Sequence, residues 1–405
     1  MEDKKKSPEL RFAGFTQDWI PGKLGDLGDI KMCKRIFNNQ TADKGDIPFY
    51  KIGTFGKKAN AFISKELYKE FREKYSFPKK GDILISASGT IGRTVVYDGK
   101  PAYFQDSNIV WVNNDESKVL NEFLLYIYES ISYESEGGTI QRLYNSIILK
   151  ANFYYPSSKE SQKLILDFFK NIDELITKHQ KKQSRLITLK KSMLGKMFPK
   201  QGQTVPDIRF RGFKGYWKKS DLENLGDFFK GKGLSKNVVS SKGKYKCLLY
   251  GHLFTEYGMI ITNVNFSTNA EFEPQVVSKA GDVFIPCSST TPTGIEKATS
   301  IEYDGVIIGG DINVIRPNET ILGSFLSINL NANGHEIIPL IKGITVRHLD
   351  IPDLKTVQVH FPESIKEQEK IITYFKKMDI LINNHQKQLQ KLNNFKQSLS
   401  ERMFV

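Results

Sequence analysis

Tyr155–Gln180 reads YPSSKESQKLILDFFKNIDELITKHQ, and Phe361–Gln386 reads FPESIKEQEKIITYFKKMDILINNHQ. At an offset of 206 residues, Pro156, Gln162, Ile165, Phe169, Asp173, Ile176, His179 and Gln180 fall on Pro362, Gln368, Ile371, Phe375, Asp379, Ile382, His385 and Gln386. The same register carries Met197-Phe198 onto Met403-Phe404. Identities this dense in one register mark a duplication, which decides the architecture before any single motif does. Neither stretch contains proline after its Pro–Ser start, and apolar residues recur three or four apart, so each predicts a long helix, about 159–198 and 365–404. Ile165, Phe169, Ile172, Ile176, His179 and Leu186 would form the seam of the first helix. Ile371, Phe375, Met378, Ile382, His385 and Leu389 would form that of the second. Gln183 and Lys190 interrupt the first seam in a way that suits register control, and Gly195 is placed to fray its end. His179 and His385 read as hydrogen-bonded interface residues, because no converging partner suggests catalysis or metal binding.

Working outward, PELRFAGFTQDW (Pro8–Trp19) is answered by PDIRFRGFKGYW (Pro206–Trp217), KKGDILISASGT from Lys79 by KAGDVFIPCSST from Lys279, and GGTIQRL from Gly137 by KGITVRH from Lys342, which sets Arg142 against Arg347. Between these anchors lie short β-type runs such as GDILISAS, SNIVWV and GDVFIPCS, punctuated by Gly, Asn and Pro, with some helix from Ser117. The predicted fold is α+β: two pseudo-symmetric globular domains of mixed or antiparallel sheet, separated by two long helices packed as an antiparallel coiled coil. The boundaries are an N-terminal tail 1–7, a first domain 8–155, a central helix 156–199, a linker 200–205, a second domain 206–361 and a C-terminal helix 362–405.

The 405 residues carry a formal net charge of +14, which suits a polyanionic partner such as nucleic acid. No apolar leader and no stretch of about 18 apolar residues is present, and the three cysteines (Cys33, Cys247, Cys287) are far apart, so a reducing cytoplasm is expected and no membrane partner. No phosphate loop, HExxH or GxSxG motif occurs, and KGKGLSK (Lys230–Lys236) reads as a basic loop. Pro286-Cys287 has the form of a methyltransferase nucleophile, but the first copy has Ala87 at that place, so Cys287 reads as a core or loop cysteine. Asp106 with Glu116 and Lys118 has the loose D…ExK form of nucleases, of which the second copy keeps only Asp311. His252, His335, His348 and His360 lack metal-ligand spacing. The residues favour binding over catalysis, with neither a catalytic residue nor a metal ligand assigned.

Over essentially its whole length the chain resembles the specificity subunit of type I restriction–modification enzymes, on the strength of the repeated RFxGF…W words, KKGDILISASGTIGR, GGTIQRL and the twice-occurring P…Q…I…F…D…I…HQ pattern. The resemblance implies a non-catalytic subunit whose globular halves each read one half of a bipartite, gapped double-stranded DNA target. The helices would set the gap and dock two adenine-methylating modification subunits. S-adenosylmethionine would then be bound by those partners, and ATP and Mg by restriction/translocase subunits, with no cofactor on this chain. Candidate DNA contacts are basic and amide residues in the divergent loops. They are Lys34, Arg35, Asn38, Lys57, Lys58, Thr90, Arg93 and Arg142 in the first domain, and Lys230, Lys232, Lys236, Lys244, Ser289, Thr290, Lys297 and Arg347 in the second. Arg142 and Arg347 equally suit a structural role near the domain–helix junction. The alternatives are a single-chain nuclease or methyltransferase, and a coiled-coil adaptor with a basic surface.

Overall fold

The computed structural model describes residues 8–131, 133, 142–270, 276–291 and 294–404. The tail 1–7 and most of GGTIQRL lie outside them. Two compact units emerge, one of residues 1–179 with 388–405, the other of residues 180–387. The long helices, Lys159–Leu194 and Ile365–Met403, therefore each contribute to both units. The first helix stops at Leu194, four residues short of the periodic pattern, where Gly195 ends the run.

In the first unit, an antiparallel sheet runs in the order Ile30–Met32, Ile109–Val112, Ile83–Ser86, Thr94–Val96. A smaller sheet orders Phe62–Ile63, Ile47–Tyr50 and Tyr103–Phe104, the last pair parallel. Ile20–Lys23 pairs with Asn152–Tyr155 and so ties the start of the domain to the strand that leads into the long helix. The second unit repeats the plan. Gly226–Lys230, Ile312–Pro317, Val283–Pro286 and Thr299–Ile301 take the same order, extended by a parallel Ile260–Ile261. Lys218–Asp221 pairs with Gln358–Phe361 as its counterpart does, and Tyr245–Leu248 runs parallel to Ile307–Ile308. The central strands ILIS and VFIP are buried along their whole length, which is why they read as continuous apolar runs.

Aromatic packing follows the repeat. Phe404 sits against Phe169, Tyr126, Phe123 and Trp19, with ring centroids 5.6, 6.2, 5.7 and 6.1 Å away. Phe198 meets Phe375, Phe325 and Trp217 at 6.3, 5.7 and 5.9 Å. Each Met-Phe end thus packs into the unit founded on the other repeat's domain, and each fully buried ring contributes on the order of 1.5–3 kcal/mol.

A glutamine at the start of each long helix explains another repeated letter. Gln162 donates to the Pro156 and Lys118 carbonyls (3.0 and 2.9 Å) and accepts from the Leu120 amide (2.9 Å), at the N-terminus of helix Asn121–Ser130. Gln368 donates to Pro362 and Thr320 (3.0 and 3.1 Å) and accepts from Leu322 (2.8 Å), at the N-terminus of helix Gly323–Ala332. Both glutamines are wholly buried. One side chain therefore satisfies a backbone donor and two carbonyls that burial would otherwise strand.

Of the seam positions, Ile165, Phe169, Ile172, Ile176, Ile371, Phe375, Met378 and Leu389 are buried, and His179, Leu186, Ile382 and His385 are partly buried. Lys396 pairs with Asp173 at 2.8 Å in the first unit. In the second, Gln183 donates to Gln386 Oε1 at 2.6 Å and Lys190 pairs with Asp379. A step of seven forward on one helix is seven back on the other, the signature of antiparallel pairing. The two polar interruptions of the first seam thus meet polar partners.

Candidate DNA interface

The divergent loops build one comparable site in each unit. In the first unit three segments converge: the loop after Ile30–Met32, the end of strand Ile47–Tyr50, and residues 105–108 leading into Ile109–Val112. Together they line a cavity of about 320 Å³ that includes Arg35, Asn38, Lys51, Gln105, Asp106 and Asn108. Arg35 donates from Nε to Asp106 Oδ2 at 2.8 Å. Gln105 Oε1 accepts from the Ile52 amide and Asn108 Oδ1 from Ser88 Oγ. Asn38 is exposed at the first position of a short 3₁₀ turn.

The corresponding segments of the second unit follow Gly226–Lys230, end strand Tyr245–Leu248, and precede Ile312–Pro317. They enclose about 700 Å³, lined among others by Lys236, Tyr250, His252, Phe266 and Asp311. His252 stacks on Phe266 with centroids 3.7 Å apart and accepts the Leu249 amide at Nδ1. Burial holds the His252 pKa below the ordinary value, so the ring is neutral at pH 7. The glycines of KGKGLSK have a structural cause: a Cβ on Gly231 would stand 2.0 Å from the Gly309 carbonyl oxygen. Sequence reasoning had no signal for Gln105, Asn108, Tyr250 or His252, because only the folded sheet brings these segments to one place.

The other candidates are spread over separate loops. Lys34 lies 5.0 Å over the Tyr75 ring, and Lys57 and Lys58 are exposed beyond a tight turn at Gly56. Arg93 donates to the Phe55 carbonyl at 3.1 Å and so braces that turn. Thr90 and Arg142 are exposed near one strand end, where Arg142 pairs with Ser88. Lys230 is bound to Asp350 at 3.2 Å, while Lys232 and Lys297 are exposed. Lys244 lies 4.9 Å over Tyr245. Ser289 is buried with its hydroxyl 2.8 Å from that of Thr291, and Thr290 beside it is exposed. Arg347 is half-buried opposite Ser289.

Two alignments need correcting. Leu143 donates to the Ala87 carbonyl and Leu349 to that of Cys287, so Arg142 corresponds to His348, and Arg347 is one place earlier. The motif pairing of Arg142 with Arg347 is therefore out by one residue, which on a strand means the opposite face. Likewise Ser86 pairs with Ile109 and Pro286 with Ile312, which sets Asn108, not Asp106, at the place of Asp311.

The weighed catalytic patterns do not assemble. Asp106 is engaged by Arg35, Glu116 Oε1 accepts the Asn121 amide at 2.8 Å, and Lys118 reaches the Asp26 carbonyl. Burial pushes the Cys287 thiol up to about 11, the reverse of what a nucleophile needs. Among the described residues no cluster of His, Cys, Asp and Glu is placed to hold a metal, and no helix is long and apolar enough to cross a membrane.

The model of the type I restriction modification DNA specificity domain matches twice, over residues 16–187 and 215–394. A Haemophilus influenzae protein named as a type I restriction enzyme specificity subunit is 59% identical over 158 residues, which span 38% of this chain and 41% of that one. The MjaX specificity subunit of Methanocaldococcus jannaschii is 24% identical over 98% of this chain and 95% of its own. Among solved structures, the specificity subunit of M. genitalium covers 98% of this chain and 99% of itself, with a TM-score of 0.62 at 16% identity. A chain from work on complex assembly and conformational transition of the type I system covers 95% of this chain and 97% of itself, with a TM-score of 0.54 at 15% identity. The last two likenesses establish the fold, mixed helix and sheet in two domains with long helices. Carrying two copies of its domain, the chain belongs to the type I restriction–modification DNA specificity family and is a specificity subunit, a non-catalytic component of its system.

Proposed function

We propose that each globular domain reads one half of a bipartite, gapped double-stranded DNA target, and that the two loop-built cavities are where the halves are distinguished. The observation that carries this reading is a contrast within each domain: the sheets and glutamine clamps repeat, whereas the cavity linings do not. Arg35, Asn38, Gln105 and Asn108 offer donors and acceptors suited to base edges, while the second cavity offers Lys236, Tyr250 and a stacked His252–Phe266 pair. Lys57, Lys58, Lys232, Lys244 and Lys297 would hold phosphates, which position without specifying. Ser289, with its hydroxyl on Thr291, and Arg93, which braces a turn, shape the loops.

The long helices would fix the gap and dock two adenine-methylating modification subunits. Those partners would bind S-adenosylmethionine, and joining restriction/translocase subunits would bring the ATP and Mg chemistry, all in the cytoplasm. The test is methylome sequencing of cells carrying this chain and a cognate modification subunit. One gapped motif is expected. Arg35→Ala should relax one half-site only, and inserting two helical turns after Gln183, compensated on the facing helix, should lengthen the gap and spare both half-sites. Altered sequence in the untouched half would overturn the assignment.

A further inference from the structure

The two copies of RFxGF use the same arginine on the same loop but give it different company. Arg209 donates from Nη1 to the Gly215 carbonyl and from Nη2 to that of Lys214, at 2.5 and 3.2 Å. Its other edge grips Glu367, Nε to Oε1 at 2.7 Å and Nη2 to Oε2 at 2.8 Å, and that carboxylate is 1% exposed. Arg11, its counterpart, donates from Nη1 to the Thr16 and Gln17 carbonyls at 2.8 and 3.2 Å. The place of Glu367 is taken in the first copy by Ser161. Beside this shorter side chain lies a cavity of about 280 Å³ whose lining combines the polar Arg11, Asp18 and Ser161 with the apolar Phe12, Trp19 and Ile165. Asp18, which also lines this cavity, forms a looser ion pair with Arg11, Oδ1 3.7 Å from Nη2, too long for a hydrogen bond and 70% exposed, unlike the bidentate, buried grip on Glu367.

We propose that this cavity is a binding site for a carboxylate borne on a short apolar stem, supplied from outside the chain, in the place that the second domain fills with its own Glu367. The internal copy is the second observation beside the cavity. It shows that this loop, this arginine and this turn of helix accept a carboxylate bidentately when one is present. The chemistry follows from the lining. A guanidinium fork matches a planar carboxylate, the opening turn of a 36-residue helix adds positive potential, and Phe12, Trp19 and Ile165 exclude water from the stem. A phosphate monoester suits the apolar half poorly. This inference stands independently of how DNA is read.

The test uses the full chain and acetate or propionate as probes, against chloride at matched ionic strength. Propionate should raise the melting temperature saturably and more than acetate does, and carbon-13 propionate should broaden on binding. Ser161→Glu should melt higher without any additive and lose the response. Arg11→Met should weaken propionate binding at least tenfold by the resonance measurement, even if its melting temperature is changed. Asp18→Asn should leave binding intact or tighter, since it removes a competing negative charge. No carboxylate-specific response in the unaltered chain, or an equal response in Ser161→Glu, overturns the proposal. Assembly with the cognate modification subunit then assigns the source. At least tenfold weaker assembly of Ser161→Glu places the carboxylate on that protein, and unchanged assembly places it on a free acid.

Discussion

Glu367 and Ser161 occupy the same turn of the same helix in two copies of one design, and they differ in what they ask of the arginine facing them. In the second unit Arg209 is the partner of a fully buried carboxylate; in the first, Arg11 ties a loop together and has, among the described residues, only the exposed Asp18 as an ion-pair partner, at 3.7 Å. Repetition of a residue is thus no guarantee of repetition of its energetics. Breaking a buried pair by removing one partner strands a charge, whereas removing a half-buried arginine from two carbonyls forfeits ordinary hydrogen bonds. Arg209→Met should therefore cost about 3–5 kcal/mol. Arg11→Met should cost about 1 kcal/mol. Segment-resolved hydrogen exchange under native conditions would read each unit separately. Equal losses would mean that Glu367 adds nothing beyond the loop contacts.

The glutamine clamps are the opposite case, where identity of letters is identity of role. Gln162 and Gln368 each bind one amide and two carbonyls at matching positions, and both are fully buried. Gln162→Ala and Gln368→Ala should each cost about 2–3 kcal/mol, because the stranded backbone groups lose their partner without gaining water. The losses should agree within about 0.5 kcal/mol, the scatter expected of independent sites. Exchange protection at the start of helices Asn121–Ser130 and Gly323–Ala332 would report them. A large inequality would show that one copy has found another way to satisfy these groups.

These contrasts explain how much was legible in the sequence. The duplication, the long helices and the buried strands were, because they rest on local periodicity and on residues repeated in register. The end of the first helix was legible at Gly195. The sites were less so. Arg35 and Asn38 were singled out for their chemistry, but their neighbours Gln105 and Asn108 come from a loop some 70 residues away, brought in by strand pairing. The pairing of Arg142 with Arg347 failed because two arginines one register apart look equivalent in a string and face opposite ways on a strand. Ser161 carried no signal at all. Its meaning is the absence of a carboxylate, visible only once Arg11 and Arg209 are seen to hold the same loop.

The smallest difference between the units concerns the GD turn. Asp82 and Asp282 both accept the amide three residues back, from Lys79 at 2.7 Å and Lys279 at 2.8 Å, with Gly81 and Gly281 at φ of +97° and +95°. Asp282 is also gripped by Arg316 through Nε and Nη2 at 2.8 and 2.7 Å. Strand register puts Asn113 where Arg316 stands, so Asp82 lacks that cation and has Asn121 Nδ2 only at 3.5 Å. Burial accordingly raises the Asp82 pKa above 3.8. Between that value and the raised one, the folded chain binds more protons than the unfolded chain, so stability falls as pH rises through the window and is level above it. Asp82→Asn keeps the acceptor for the Lys79 amide and removes the titration. The slope of first-unit stability against pH should flatten in the window above pH 3.8, while the second unit is unchanged. An unaltered slope would place the proton linkage elsewhere, and Asn113→Arg, by supplying the missing cation, should lower the Asp82 pKa and abolish the same slope by the opposite route.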